Sequence, residues 1–179
     1  LLKRYERFIK RLDQVNSDDV FERFMNTFSN TVDPHSSYLS PRNADEYKIA
    51  MSLSYVGIGA TLRTEEDFVQ IVNIIKGGPA DFDGKLKRDD RITAIAQGKE
   101  GEFVDVIGWR LDDVVDIIRG PKGSTVKLQI IPANALPGSP REIIELIRGA
   151  VKLEEQAAKS QIINIKKNGY DFSIGVIEI

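Results

Sequence analysis

The chain has 179 residues, of which 41% are hydrophobic and 29% charged, enough apolar material for one good core or two small ones and too much for disorder to be the main state. Its net charge is −2 with acidic and basic residues interspersed, so no basic stripe points to nucleic acid and no polybasic helix to a membrane surface. Cysteine is absent, which removes thiol nucleophiles, zinc–thiolate sites and disulfides and leaves the redox compartment open.

Leu1-Leu2-Lys3-Arg4-Tyr5-Glu6 has no signal-peptide layout, and no run approaches the ~18 apolar residues of a membrane span. The chain lacks an initiator Met and closes on the apolar run Ile174-Gly175-Val176-Ile177-Glu178-Ile179, so it is expected to be a piece of a longer protein. Residues 1–31 read as two helices, the second opening at Ser17 as N-cap with Asp18 and Asp19 near the positive end of its dipole. Val20, Phe21, Phe24, Met25 and Phe28 recur with helical period and are expected to be core. Ser40-Pro41 starts another helix, continued by Tyr47, Ala50 and Met51 and ending near Ser54.

Strand-like runs follow at Ile58 to Leu62, Phe68 to Ile75, Arg91 to Ala96 and Thr125 to Ile131. A short helix is expected after Pro79, and an amphipathic one over Leu111 to Arg119, stopped by Gly120-Pro121. Together these make a small domain bounded at about 54 and 133. Residues 135–140 read as a linker, and Glu142 to Arg148 suits helix or strand equally. Lys152 to Lys159 reads as a short helix, and Gln161 to Lys166 and Asp171 to Ile179 flank the hairpin dipeptide Asn168-Gly169.

Three segments carry chemistry together: Tyr55-Val56-Gly57-Ile58-Gly59-Ala60, Gly77-Gly78-Pro79-Ala80, and Leu86-Lys87-Arg88-Asp89-Asp90-Arg91-Ile92. A Gly-x-Gly turn entering a strand can aim several main-chain amides at one point and so attract an anion such as a peptide's terminal carboxylate. The expected nest lies at Val56, Gly57, Ile58 and Gly59. A peptide would pair as an extra strand along Gly59, Ala60 and Leu62, its last side chain entering an apolar pocket of Ile58, Leu62, Leu111, Val115 and Ile118. The competing reading makes these apolar residues the ordinary core of a small domain.

On these motifs, with Val32-Asp33-Pro34-His35-Ser36-Ser37-Tyr38-Leu39-Ser40-Pro41 before them and Arg119-Gly120-Pro121-Lys122-Gly123-Ser124 after, the chain resembles the carboxy-terminal processing proteases, most closely their tail-specific branch. The resemblance implies an α+β fold. A helical segment (1–53) precedes a PDZ domain (54–133), a small β-sheet or barrel with two helices, and a linker leads into the first strands of a mixed α/β protease domain (134–179). It implies a serine endopeptidase with a Ser-Lys dyad that selects substrates by their C-terminal tails. Both dyad residues are expected beyond this chain, leaving it inactive alone. Ser173 and Lys166 match no active-site motif. The implied partners are C-terminal tails with apolar last residues, with envelope accessory proteins also admitted; the implied location is the bacterial periplasm. No cofactor, metal or nucleic acid is expected. One departure stands at Asp89, where the PDZ signature has Gly; Asp tolerates left-handed backbone better than most residues.

The alternative is a non-catalytic PDZ adaptor, disfavoured because an adaptor needs neither the Asp-Pro-His block nor the terminal hairpin. His35, between Asp33 and Ser36-Ser37, invites a triad reading, but triad members converge from separated segments, and a local turn is the better account. Asp112-Asp113 and Glu154-Glu155 read as solvated helix faces. Gly98 and Gly101 suggest that residues 97–108 act as a lid or hinge, and Phe103 and Trp109 are expected to anchor the loop before the helix in preference to contacting a peptide.

Overall fold

The computed structural model describes residues 5, 9, 12–136, 139–153, 158–167 and 170–178. Most of the first expected helix, Pro137-Gly138, Glu154-Glu155 and the Asn168-Gly169 turn lie outside the described residues. The chain forms two units, Leu1–Ser52 and Leu53–Ile179.

In the first unit, α1 spans Ser17–Val32 and α2 spans Pro41–Ser52. The cap of α1 is Asn16, one residue ahead of the expected Ser17. Its Oδ1 accepts from the amides of Asp18 (2.9 Å) and Asp19 (3.0 Å), while Asp19 Oδ2 accepts from the Asn16 amide (3.1 Å), so each residue satisfies an orphan donor of the first turn. Asn26 holds the following segment against α1, donating to the Tyr38 carbonyl (3.0 Å) and accepting from the Tyr38 amide (3.0 Å), with the Tyr38 ring edge-on to Phe21. The expected burial of the α1 stripe does not hold within this unit: Val20, Phe21, Phe24 and Phe28 are all more than half exposed. Two helices and a connecting segment are too few layers to enclose that face.

The second unit is built on a six-stranded antiparallel sheet. Its strands are β2 (Ala60–Glu65), β3 (Phe68–Ile74), β4 (Arg91–Gln97), β6 (Thr125–Ile131) and β7 (Glu142–Ile147) in the order β2-β3-β4-β6-β7, with β5 (Val104–Asp105) also on β4. Alternation in β6 turns Val126, Leu128 and Ile130 inward, where they join Ile71, Ile92, Ile95 and Leu146. Helix α3 (Pro79–Asp83) contributes Ala80 to this core, and α4 (Leu111–Ile118) contributes Val114 and Ile118. Asp89 takes the left-handed conformation its position demands, with φ of 68°. Its neighbour Asp90 is buried and accepts from the amides of Lys87 (2.8 Å) and Ala133 (3.1 Å), tying the turn before β4 to the chain leaving β6.

Three sequence expectations need correction here. Helix α2 ends at Ser52, and Ser54–Gly57 is a strand, β1, which pairs with β8 (Gly149–Lys152). Past the expected boundary at 133, β7 extends the main sheet along β6 and β8 covers β1. Lys152 and Lys159, the limits of the expected short helix, are strand residues; residues 154–157 between them lie outside the described set. The proposed lid is tied down in its middle: β5 pairs with β4 and Val106 is fully buried, its amide on the Thr93 carbonyl (3.0 Å). The terminal hairpin forms as expected, β9 (Lys159–Lys167) on β10 (Tyr170–Glu178), its register closing at Lys167 and Tyr170.

Candidate peptide-carboxylate site

The first two glycine motifs meet backbone to backbone. Gly59 has φ of 78°, a region that side chains resist, and a Cβ built on it would lie 3.0 Å from Gly78 Cα; one built on Gly78 would lie 3.0 Å from both Gly59 Cα and the Ile75 carbonyl oxygen. The approach is fastened on both sides: the Ile58 carbonyl accepts from the Ala80 amide at the start of α3 (2.8 Å), and the Gly59 carbonyl from the Ile75 amide (2.9 Å). With both carbonyls turned into the protein, the amides of this bend are left to face elsewhere. Among the described residues, the Ile58 and Gly59 amides donate to no acceptor.

The ladders on either side fix which other amides are free, since antiparallel pairs alternate between bonded and non-bonded. The Leu153 amide donates to the Leu53 carbonyl (2.8 Å), so in the β1–β8 register Gly57 and Gly149 form a bonded pair. The Gly57 amide is therefore spent inside the ladder, a correction to its expected place in the nest. Val56 is a non-bonded member of the same ladder, ahead of the bend. On the far side, the bond from Ile75 to Gly59 makes Ala60 and Ile74 a non-bonded pair, which turns the Ala60 amide away from β3. The sequence placed the nest at Val56 to Gly59; the amides left unpaired in a row are Ile58, Gly59 and Ala60.

Beyond the bend, β2 is an edge strand of the sheet. Ile71 directs both main-chain groups to the β4 side, its amide to the Asp90 carbonyl (2.9 Å) and its carbonyl to the Asp89 amide (2.8 Å). Leu62, opposite Ile71, consequently presents its own amide and carbonyl outward. This open edge runs beside α4. Of the apolar residues read as pocket lining, Ile58 and Ile118 are core, 2% and 3% exposed, while Leu62, Leu111 and Val115 stay part-exposed. The two readings of these residues thus divide: two belong to the core, and three stay part-exposed on β2 and α4.

Tyr55 and Arg119 stand in the sequence motifs without a role for their side chains. The Arg119 guanidinium carbon lies 5.3 Å from the Tyr55 ring centroid, and Arg119 Cγ is 3.9 Å from where a Gly57 Cβ would stand, so a positive charge is anchored beside the bend. Burial raises the Tyr55 phenol above its ordinary value, and Arg119 pulls the other way. Spacing alone could not pair residues from β1 and the end of α4. A separate open cavity of about 630 Å³ lies between α3 and the β7–β8 corner, with Phe82, Lys85 and Glu145 on its walls; Gly77 and Pro79 of the second glycine motif line it, and none of the nine residues expected to bind the peptide does.

The other candidates disperse. Asp33 accepts from the His35 amide (3.0 Å), the Ser36 hydroxyl (3.2 Å) and, depending on tautomer, the His35 Nδ1–H (3.1 Å). The hydroxyl thus faces the carboxylate, not the imidazole, and the group is a local turn. The His35 amide and then its ring hold the Asp33 carboxyl below its usual value. Ser173 donates to Asn164 (2.7 Å) and Lys166 lies 3.6 Å from Asp171, so neither activates the other.

Family models match the chain in two blocks, a tail-specific protease N-terminal domain over residues 1–42 and a PDZ domain over residues 48–131. The chain is 43% identical over 159 residues to the tail-specific protease of Haemophilus influenzae and 33% identical over 132 residues to the carboxy-terminal processing protease CtpA of Bacillus subtilis. These matches cover 89% and 73% of this chain but only 22% and 27% of those proteins. Among solved structures, the PDZ domain of a carboxy-terminal protease from Vibrio cholerae, in complex with a peptide, is 40% identical with a TM-score of 0.53, covering 56% of this chain and 100% of that one. The photosystem II D1 C-terminal processing protease shares the fold at 17% identity and a TM-score of 0.53, over 90% of this chain and 42% of that one.

Proposed function

Since this chain belongs to the carboxy-terminal processing proteases, in their tail-specific branch, we propose that its PDZ domain captures the free C-terminus of a substrate protein and presents it to a serine protease core elsewhere in the full-length protein. The observation that carries this reading is the row of unpaired amides at Ile58, Gly59 and Ala60, beside the open edge of β2. The tail adds as a strand on β2, bonding through Ala60 and Leu62, and its carboxylate sits on the three amides near the fixed charge of Arg119. Main-chain pairing supplies affinity with little sequence preference. Selectivity comes from the last side chain, which enters between Leu62, Leu111 and Val115, so Ala, Val or Leu is favoured at that position. The peptide complex of the Vibrio cholerae domain supports the same mode here.

Cleavage is assigned to a Ser-Lys dyad outside these residues, in which burial keeps the lysine neutral enough to serve as base. Calorimetric titration of the 179-residue chain with a free-acid peptide and its C-terminal amide tests the reading. A charge-assisted hydrogen bond is worth about 1.5–3 kcal/mol, so the amide is expected to bind roughly tenfold more weakly or worse, with the free-acid peptide recovered intact afterwards. Equal binding of the two peptides would end the proposal, and a shortened peptide would end the assignment of cleavage to other residues.

A further inference from the structure

Arg148 stands alone between β7 and β8, where the chain stops pairing with β6 and begins pairing with β1. It is 2% exposed, and among the described residues no carboxylate neutralises it. All five of its N–H groups instead meet oxygens. Nε donates to the Ile118 carbonyl (2.7 Å), Nη1 to Ser124 Oγ (2.9 Å) and the Thr125 carbonyl (3.2 Å), and Nη2 to Gln97 Oε1 (2.6 Å) and the Ile117 carbonyl (3.0 Å).

Ile117 and Ile118 close α4, the helix that walls the groove. Helix C-terminal carbonyls need donors and favour positive charge, and α4 has no basic residue in its last turn. Arg148 supplies both from another element, assisted by Gln97 Nε2 on the same Ile117 carbonyl (2.7 Å). The chain leaving α4 lies against the guanidinium so closely that a Cβ on Gly120 would come within 3.0 Å of Arg148 Cζ and Nε. The main chain of Arg148 is fixed too, its amide on Ser124 and its carbonyl on Gly123, both at 2.8 Å. The next residue, Gly149, pairs with Gly57 directly ahead of the amide bend, and a Cβ there would stand 2.9 Å from Pro79 Cγ. One corner of chain, past the end of the PDZ family match at residue 131, therefore grips the helical wall on one side and the carboxylate end on the other.

We propose that Arg148 is a positioning residue for the peptide groove, setting the distance of α4 from the β2 edge and hence the fit of the ligand's last side chain. The inference rests on the tail-binding reading above. It separates two discriminations: acid over amide depends on the amide bend, whereas Leu over Gly at the last position depends on where α4 stands.

The test is titration of the whole chain, wild type and Arg148→Met, with three peptides ending in Leu acid, Leu amide and Gly acid, below the unfolding temperature of each protein. The expected result is that Arg148→Met keeps the acid-over-amide ratio while its Leu-over-Gly ratio falls at least fivefold, with Arg148→Lys recovering part of that ratio by returning the charge without the fork. Gln97 is exposed, and Gln97→Met, which loses one acceptor and one capping bond, is expected to lower the Leu-over-Gly ratio two- to threefold. Should Arg148→Met fail to fold, the Gln97→Met ratio decides alone. A wild-type Leu-over-Gly ratio in either folded variant overturns the inference and leaves tail recognition standing. Loss of the acid-over-amide ratio in the wild type removes tail recognition and this inference with it.

Discussion

Gly59→Ala is expected to destabilise the PDZ unit by about 2–5 kcal/mol and to abolish peptide binding even in molecules that remain folded. The figure combines about 1–2 kcal/mol for forcing a side chain into the left-handed region with about 1–3 kcal/mol for overpacking, since the new Cβ meets the Gly78 backbone at 3.0 Å. Pushing Gly59 away from Gly78 also strains the bonds that set the Ile58 and Gly59 carbonyls inward, and these bonds aim the amides outward. Gly77 supplies the control: its φ is 77° but nothing lies within 4 Å of its Cβ position. Gly77→Ala should cost only the backbone strain, about 1–2 kcal/mol, and retain binding. Urea denaturation of both variants checks the energies. Equal losses would mean that the close approach contributes nothing.

Asp90→Ala is expected to cost about 3 kcal/mol of folding free energy without touching the groove directly. The buried carboxylate accepts from the amides of Lys87 and Ala133, and removing it strands two donors, each bond to a charged acceptor being worth about 1.5–3 kcal/mol. Asp90→Asn should lose less, because its remaining carbonyl oxygen still serves one amide. Thermal unfolding of the two variants gives the order; an alanine variant as stable as wild type would show that water satisfies both amides.

The sequence made the motifs legible where chemistry is local. Glycines that must meet, as at Gly59 and Gly78, and an aspartate turn such as Asp89-Asp90 leave marks within a few residues. The α4 stripe was equally readable, because Val114 and Ile118 repeat at the helical spacing that buries them. What escaped depends on distant pairing. Ser54 looks like a helix end and Tyr55 to Gly57 like part of a glycine turn until β8 arrives to pair with them, and that pairing moves the nest forward by spending the Gly57 amide. Glu142 to Ile147 fits helix and strand periods alike, so only the free edge of β6 decides it. Arg148 had no motif at all: its partners come from β4, α4, the turn before β6 and the first residue of β6, and no spacing rule connects them. The α1 stripe failed for a different reason, since periodicity tells which face is apolar but not what covers it.

Tail recognition depends on amides of a glycine bend being held open for another chain's terminus. The most direct test is an amide-resolved NMR titration of the 179-residue chain with a free-acid peptide ending in Leu. The Ile58, Gly59 and Ala60 amide protons should move downfield together, while Gly57, bonded to Gly149, stays in place. Shifts confined to the α3 and β7–β8 cavity, or unchanged signals at those three amides under saturation, would contradict it.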